Sequence, residues 1–153
     1  MTTTPKAVTI TSARPAMTAA LMEKTGLDED ILRALVHHFY CRVRADDMLG
    51  PIFAEHVEDW PAHLERLTAF WSSVALMTGR YHGAPVPAHA ALKVTWAHFE
   101  RWLDLFRTTA EEVCPPEGAA HVIERAERIA RSLHMAVQDA ARDAAPAAVP
   151  SLR

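Results

Sequence analysis

The chain has 153 residues, of which 50% are apolar and 23% charged, with a formal net charge of -3. This is the size and make-up of one globular domain rather than two, and it is neither disordered nor in need of a disulfide to hold a core. A slightly acidic balance excludes non-specific grip on phosphate backbones or anionic membrane surfaces, so neither nucleic acid nor membrane is expected as a partner.

Two distant cysteines, Cys41 and Cys114, form no zinc or Cys-x-x-Cys pattern, which favours a reducing compartment. No run approaches the ~18 apolar residues of a membrane span. Residues 7–10, interrupted by Thr9, are the most apolar stretch of the first sixteen, too short for a secretory signal. A cytoplasmic monomer is the expectation. Twenty-eight alanines, no asparagine and only five single glycines leave long spans of helix formers between turn residues, which reads as all-α.

Residues 1–26 are rich in Thr, Ala and Pro and read as a flexible arm with one short helix near 16–24. The domain proper is expected over 27–143. Its first strong stripe is Ile31, Leu32, Leu35, Val36, Phe39, Tyr40 and Val43, at helical spacing over 27–45. Acidic residues at 28–30 and arginines at 42 and 44 suit the helix dipole. Pro51 opens one short turn. Asp59 then caps a helix expected to end at Gly79, with a buried face of His63, Leu67, Phe70 or Trp71, Val74 and Met77. A loop follows over 79–87, then a short helix near 88–93. Two long helices complete the chain, at 96–113 and 117–141. Residues 144–153 read as a frayed Ala- and Pro-rich tail.

Several chemistries are excluded. There is no phosphate-cradling glycine loop, no His-Glu-x-x-His, no paired Glu-x-x-His of a di-iron bundle, and no nucleophile elbow around Ser72-Ser73. Of nine histidines, two stand out. His63 stacks over large apolar side chains, where an imidazole needs a partner for each ring nitrogen. His89 follows a proline-rich loop among small neighbours, which leaves room for something bulky and flat. Together with apolar helices and abundant Trp and Phe, these residues fit a haem held by one neutral imidazole. They also fit a plain helical interaction module.

Ordered blocks narrow the choice: His38-Phe39-Tyr40, Leu49-Gly50-Pro51-Ile52-Phe53, Trp60-x-x-His63, Phe70-Trp71, Thr78-Gly79-Arg80-Tyr81-x-Gly83-x-Pro85, His89, and His98-Phe99-x-Arg101-Trp102-Leu103-x-Leu105-Phe106. Over residues 27–137 the chain resembles the group III truncated haemoglobins, small bacterial globins with a two-over-two helical sandwich enclosing a haem. The resemblance implies haem b (Fe-protoporphyrin IX) with His89 on the iron and Tyr40, His63 and Trp102 on the distal side. It implies that Phe53, Leu67, Phe70 and Trp71 pack on the porphyrin, with Arg66, Arg80 and Tyr81 near its propionates. It further implies reversible binding of O2, NO and CO, with NO dioxygenase or peroxidase-like turnover and a reductase partner as extensions. The alternatives are a six-coordinate electron-transfer haem with His63 as second ligand, and the haem-free helical module. Cys41, beside Tyr40, reads as a spectator.

Overall fold

The computed structural model describes residues 11–90 and 92–144. The expected mobility of the first ten residues and the fraying of 145–153 lie outside that range. Among the described residues there are seven helices and no strand: α1 (Pro15–Thr25), α2 (Glu29–Ala45), α3 (Gly50–His56), α4 (Trp60–Leu76), α5 (Pro85–Ala90), α6 (Trp96–Val113) and α7 (Pro116–Ala144). None of them is long and apolar enough to cross a membrane.

The helices start where side chains can satisfy free backbone N–H groups. Asp28 accepts from Ile31 N at 2.8 Å to open α2, and Asp59 accepts from Ala62 N at 3.1 Å to open α4. At α6, Thr95 and His98 form a reciprocal capping box. Each long helix then carries one apolar stripe, and the stripes meet. The α2–α4 pair lies across the α6–α7 pair, with α2 on α6 and α4 on α7. This is a two-over-two helical sandwich.

The solid core is Leu32, Leu35, Val36 and Phe39 of α2, Trp71 and Ala75 of α4, Leu103 and Phe106 of α6, and Val122 and Ala126 of α7. Trp71 stacks on Phe106 at 4.9 Å, and Phe39 meets the Phe106 edge at 5.1 Å. Polar ties fix the register of α2 on α6. Arg42 donates to Thr109 Oγ1 at 2.9 Å and pairs with Glu112, while Arg101 pairs with Asp46 at 2.7 Å. Gly118 lets α7 approach closely, since a Cβ there would sit 2.7 Å from Leu27 Cδ2.

Two elements differ from the sequence expectation. α4 stops at Leu76, because Met77 adopts the left-handed conformation (φ 56°) and its N–H bonds to Ser73 O. The chain is turned there and held by Ser72 Oγ···Thr78 Oγ1 at 2.7 Å, so Gly79 lies beyond the helix. The short helix expected near 88–93 begins instead at Pro85, a residue well suited to a first helical turn. The helix within the arm is present as α1. It packs on α4 and α7, and Thr18 donates to Leu76 O at 2.7 Å.

Candidate functional site

Of the α4 face expected to enter the core, only Trp71 is fully buried, and it also borders a cavity, while Leu67, Phe70 and Val74 pack against the core from its edge. Thr68, Trp71, Ser72 and Ala75 are buried, whereas His63, Leu67 and Phe70 are only half-buried. They line a cavity of about 450 Å3 enclosed by α2, α3, α4, α5, α6 and α7. Protein interiors are packed to the density of organic crystals, with few voids much larger than a water molecule. A cavity of this size falls in the range of small-molecule and cofactor sites. Phe53, Phe99, Ile129 and Leu133 complete its apolar lining.

On one side stands His89. Its Nδ1 lies 2.6 Å from Pro85 O, one helical turn back along α5. A carbonyl oxygen can only accept, so Nδ1 carries the proton. In the neutral imidazole Nε2 is then left with its lone pair, the form in which histidine ligates a metal.

Tyr40, Trp102 and His63 also reach the cavity, from α2, α6 and α4. Tyr40 is 4% exposed and makes edge contacts with Phe39 (4.7 Å), Phe53 (5.7 Å) and His63 (6.2 Å). Burial pushes its phenol up to about 12, partly offset by a bond from the Trp102 side chain. The indole N–H has no acceptor capacity, so Trp102 can act on the phenol oxygen only as a donor. The Tyr40 O–H remains free to donate elsewhere.

His63 is held below the usual imidazole pKa, first by burial, then by the positive charge of Arg66 and the proximity of His89. It is therefore neutral at pH 7. Arg66 Nη2 lies 3.5 Å from His63 Nδ1, long for a hydrogen bond but a geometry in which only arginine can donate.

The polar edge differs in part from expectation. Arg66 and Tyr81 line the cavity, and Tyr81 packs against Phe70 at 5.1 Å. Arg80 does not line it. Its guanidinium is paired with Glu29, whose other oxygen accepts from Ser72 Oγ at 2.9 Å. Arg80 thus ties the α4–α5 linker to the first turn of α2.

Two histidines without an expected role join the edge instead, His56 and His98. His98 Nδ1 accepts the Thr95 N–H at 3.0 Å, so its neutral ring carries the proton on Nε2. The Thr95-x-x-His98 spacing is a sequence signal for that cap. Among the described residues that line the cavity only Arg66 carries a permanent charge, which suits an apolar ligand with a carboxylate edge. A flat, largely apolar group with one metal and peripheral carboxylates fits this donor set.

Comparisons with known proteins bear on the family and the fold. The family model for bacterial-like globins matches residues 20–135. A group 3 truncated haemoglobin of Campylobacter jejuni is 32% identical over 109 residues, covering 68% of this chain and 86% of that protein. The crystal structure of a group III truncated haemoglobin from Campylobacter jejuni superposes with a TM-score of 0.68 at 30% identity, covering 72% of this chain and 91% of that one.

Proposed function

The chain belongs to the bacterial-like globin family, and from that premise we propose that it holds haem b through His89 and reversibly binds O2, NO or CO on the side of Tyr40, His63 and Trp102. The observation that carries the reading is the His89 Nδ1–Pro85 O bond, which leaves Nε2 as the free nitrogen of an imidazole lining a large apolar cavity. Held by His89, a haem would supply an iron able to take up a small diatomic ligand.

The protein's own groups do the rest. The Pro85 carbonyl fixes the His89 tautomer and strengthens the imidazole as a donor of electrons. Phe53, Leu67, Phe70 and Phe99 exclude water. Arg66 and Tyr81, with the Nε2–H of His98, offer donors to carboxylates. On the distal side the Trp102 N–H polarises Tyr40 so that the phenol O–H points outward as a donor. A ligand that gains partial negative charge is held by such a donor, each bond contributing about 0.5–1.5 kcal/mol. His63, neutral at pH 7, adds one ring N–H as a further donor.

The cavity itself argues against a haem-free interaction module, whose aromatics would close on one another. The two cysteines are free, as a reducing, cytoplasmic setting would leave them. Detoxification of NO or peroxide, with electrons supplied by a reductase, extends the same reading.

Absorption spectra of haem-supplemented protein test it. The expected results are one haem per chain, a five-coordinate ferrous form that takes up CO, and loss of that form in His89→Gly with recovery on adding imidazole. A ferrous form already six-coordinate would transfer the second ligand role to His63. No stoichiometric uptake would return the chain to the interaction-module reading.

A further inference from the structure

The last carbonyls of a helix have no partner within it and must find one elsewhere. Where α4 ends, the residues concerned are deeply buried, Leu76 at 0% and Thr78 at 2% exposure, so water does not serve them. The N-terminal arm does. Thr18, itself fully buried, donates its hydroxyl to Leu76 O at 2.7 Å, and the Ala13 N–H donates to Thr78 O at 2.9 Å. A hydroxyl has one proton, so Thr18, having given its own to Leu76, accepts from Ser12 Oγ, 2.7 Å away. Ser12 Oγ in turn accepts the Arg14 N–H at 2.9 Å. These bonds run in one direction, from the arm into the end of α4. The residues that make them, 12–18, precede residue 20, where the match to the bacterial-like globin model begins.

The segment gripped in this way, 77–84, leads to the cavity. Thr78 is also held by Ser72 Oγ at 2.7 Å, and the Tyr81 N–H donates to Ser73 Oγ at 2.8 Å. Tyr81 then lines the cavity, with its hydroxyl so close to Gly83 that no side chain would fit there. The chain passes from this segment straight into α5, which bears His89. Among the described residues α5 packs on α7 and on no other helix. Its placement therefore rests on α7 at one side and on the 77–84 segment at its N-terminus.

We propose, resting on the haem reading above, that residues 12–18 are a strap that positions Tyr81 and His89 on the cofactor. The Thr18 hydroxyl and the Ala13 N–H are its positioning groups. Neither residue lines the cavity, and both act through the 77–84 segment. With the strap in place, α5 is supported at both ends of its approach and the imidazole keeps one orientation. With the strap released, α5 samples orientations in which His89 no longer faces the cavity, and affinity for the cofactor falls with the fraction left competent. The core of the sandwich, Leu35, Phe39, Trp71, Phe106 and Val122, packs without the strap. Its release is therefore a local opening, distinct from global unfolding.

Thr18→Val keeps the shape of the side chain and removes its donor, whereas Thr18→Ser keeps the hydroxyl. In the haem-free full-length chain, Thr18→Val should speed amide hydrogen exchange at Tyr81 and His89 by about tenfold, the order expected when a buried carbonyl loses its donor. Exchange at the core amides of Leu35 and Val122 should not change. In haem-loaded protein, transfer of haem to excess apomyoglobin should accelerate by a similar factor, and the ferrous iron–histidine stretching band should broaden. Thr18→Ser should restore all three readouts. Ala13→Pro withdraws the second donor at an exposed position and should reproduce the Thr18→Val pattern without placing a valine in the interior. Unchanged exchange at Tyr81 and His89 in both variants overturns the strap, as does equal acceleration of the core amides. Faster local exchange with unchanged haem transfer and an unchanged stretching band overturns the positioning role. A wild-type chain that takes up no haem overturns the haem reading alone, since exchange in the haem-free chain still decides whether the strap holds this segment.

Discussion

Removing one oxygen atom, by Tyr40→Phe, isolates the contribution of the distal donor. The ring keeps its edge contacts with Phe39 and Phe53, so the fold should be unaffected. With its pKa pushed up to about 12, the wild-type phenol is a neutral O–H donor at every physiological pH. Its loss removes one hydrogen bond to the ligand, worth about 0.5–1.5 kcal/mol, which corresponds to O2 dissociation faster by about twofold to twelvefold. The structure adds a sign beyond this range. Trp102 N–H loses its acceptor when the hydroxyl is removed, and an indole donor facing the cavity can then bond the ligand in its place. Tyr40→Phe should therefore be more damaging in a Trp102→Phe background than in the wild type, a coupling that a double-mutant cycle isolates. Stopped-flow displacement of O2 by CO in the four haem-loaded proteins measures it. Equal dissociation rates in wild type and Tyr40→Phe, in both backgrounds, would refute the donor assignment.

Two further predictions concern the scaffold. His121 Nε2 donates to Ala75 O at 2.9 Å across α7 and α4, and burial lowers its pKa below 6.5 despite the opposing effect of that carbonyl. The unfolded chain therefore binds more protons at mildly acid pH. The stability is fully present above pH 6.5 and is lost as pH falls through the folded-state value. His121→Gln keeps a donor and removes the titration, so its urea midpoint should fall less between pH 7.5 and pH 5 than that of the wild type. Parallel losses would assign the acid sensitivity elsewhere. Gly118→Ala places a methyl 2.7 Å from Leu27 Cδ2 and 2.9 Å from the Thr25 carbonyl. A leucine can rotate but that backbone oxygen cannot, so a destabilisation of about 1–3 kcal/mol is expected in urea titrations. An unchanged midpoint would show that α7 can slide outward at no cost.

Most of the helical frame was legible in the sequence. α6 runs over the expected residues because its boundaries are local: Thr95 and His98 cap one end, and Pro115-Pro116 follow the other. The end of α4 was not local. Met77 turns left-handed where the following Thr78 is gripped by Ser72, and Thr78 O accepts from Ala13 N at 2.9 Å, partners that periodicity cannot foresee. His63 and His89 stood out from the residues alone, but the rest of the candidate site was legible only through resemblance. A stripe such as His63, Leu67 and Phe70 has the same spacing whether it meets other side chains or a cavity, and it took the whole ordered set of blocks to favour a cofactor over a plain helical module. Arg80 shows the limit in the other direction. Its charge and position suit a carboxylate, but the carboxylate it meets belongs to Glu29, fifty-one positions away in the chain.

The six residues of α5 have one more consequence. A helix this short closes at most two of its own i→i−4 bonds and cannot persist in isolation. It owes its form to α7, against which it packs, and to the Pro85 ring, which presets one backbone angle. His89 thus stands on the least self-sufficient element of the sandwich. Whatever free energy is needed to order this turn is subtracted from the apparent affinity for anything that binds His89. Retention of a ligand there is governed as much by the grip of α7 on α5 as by the imidazole itself. Substitutions on α7 that never touch the cavity would then set how long a cofactor stays.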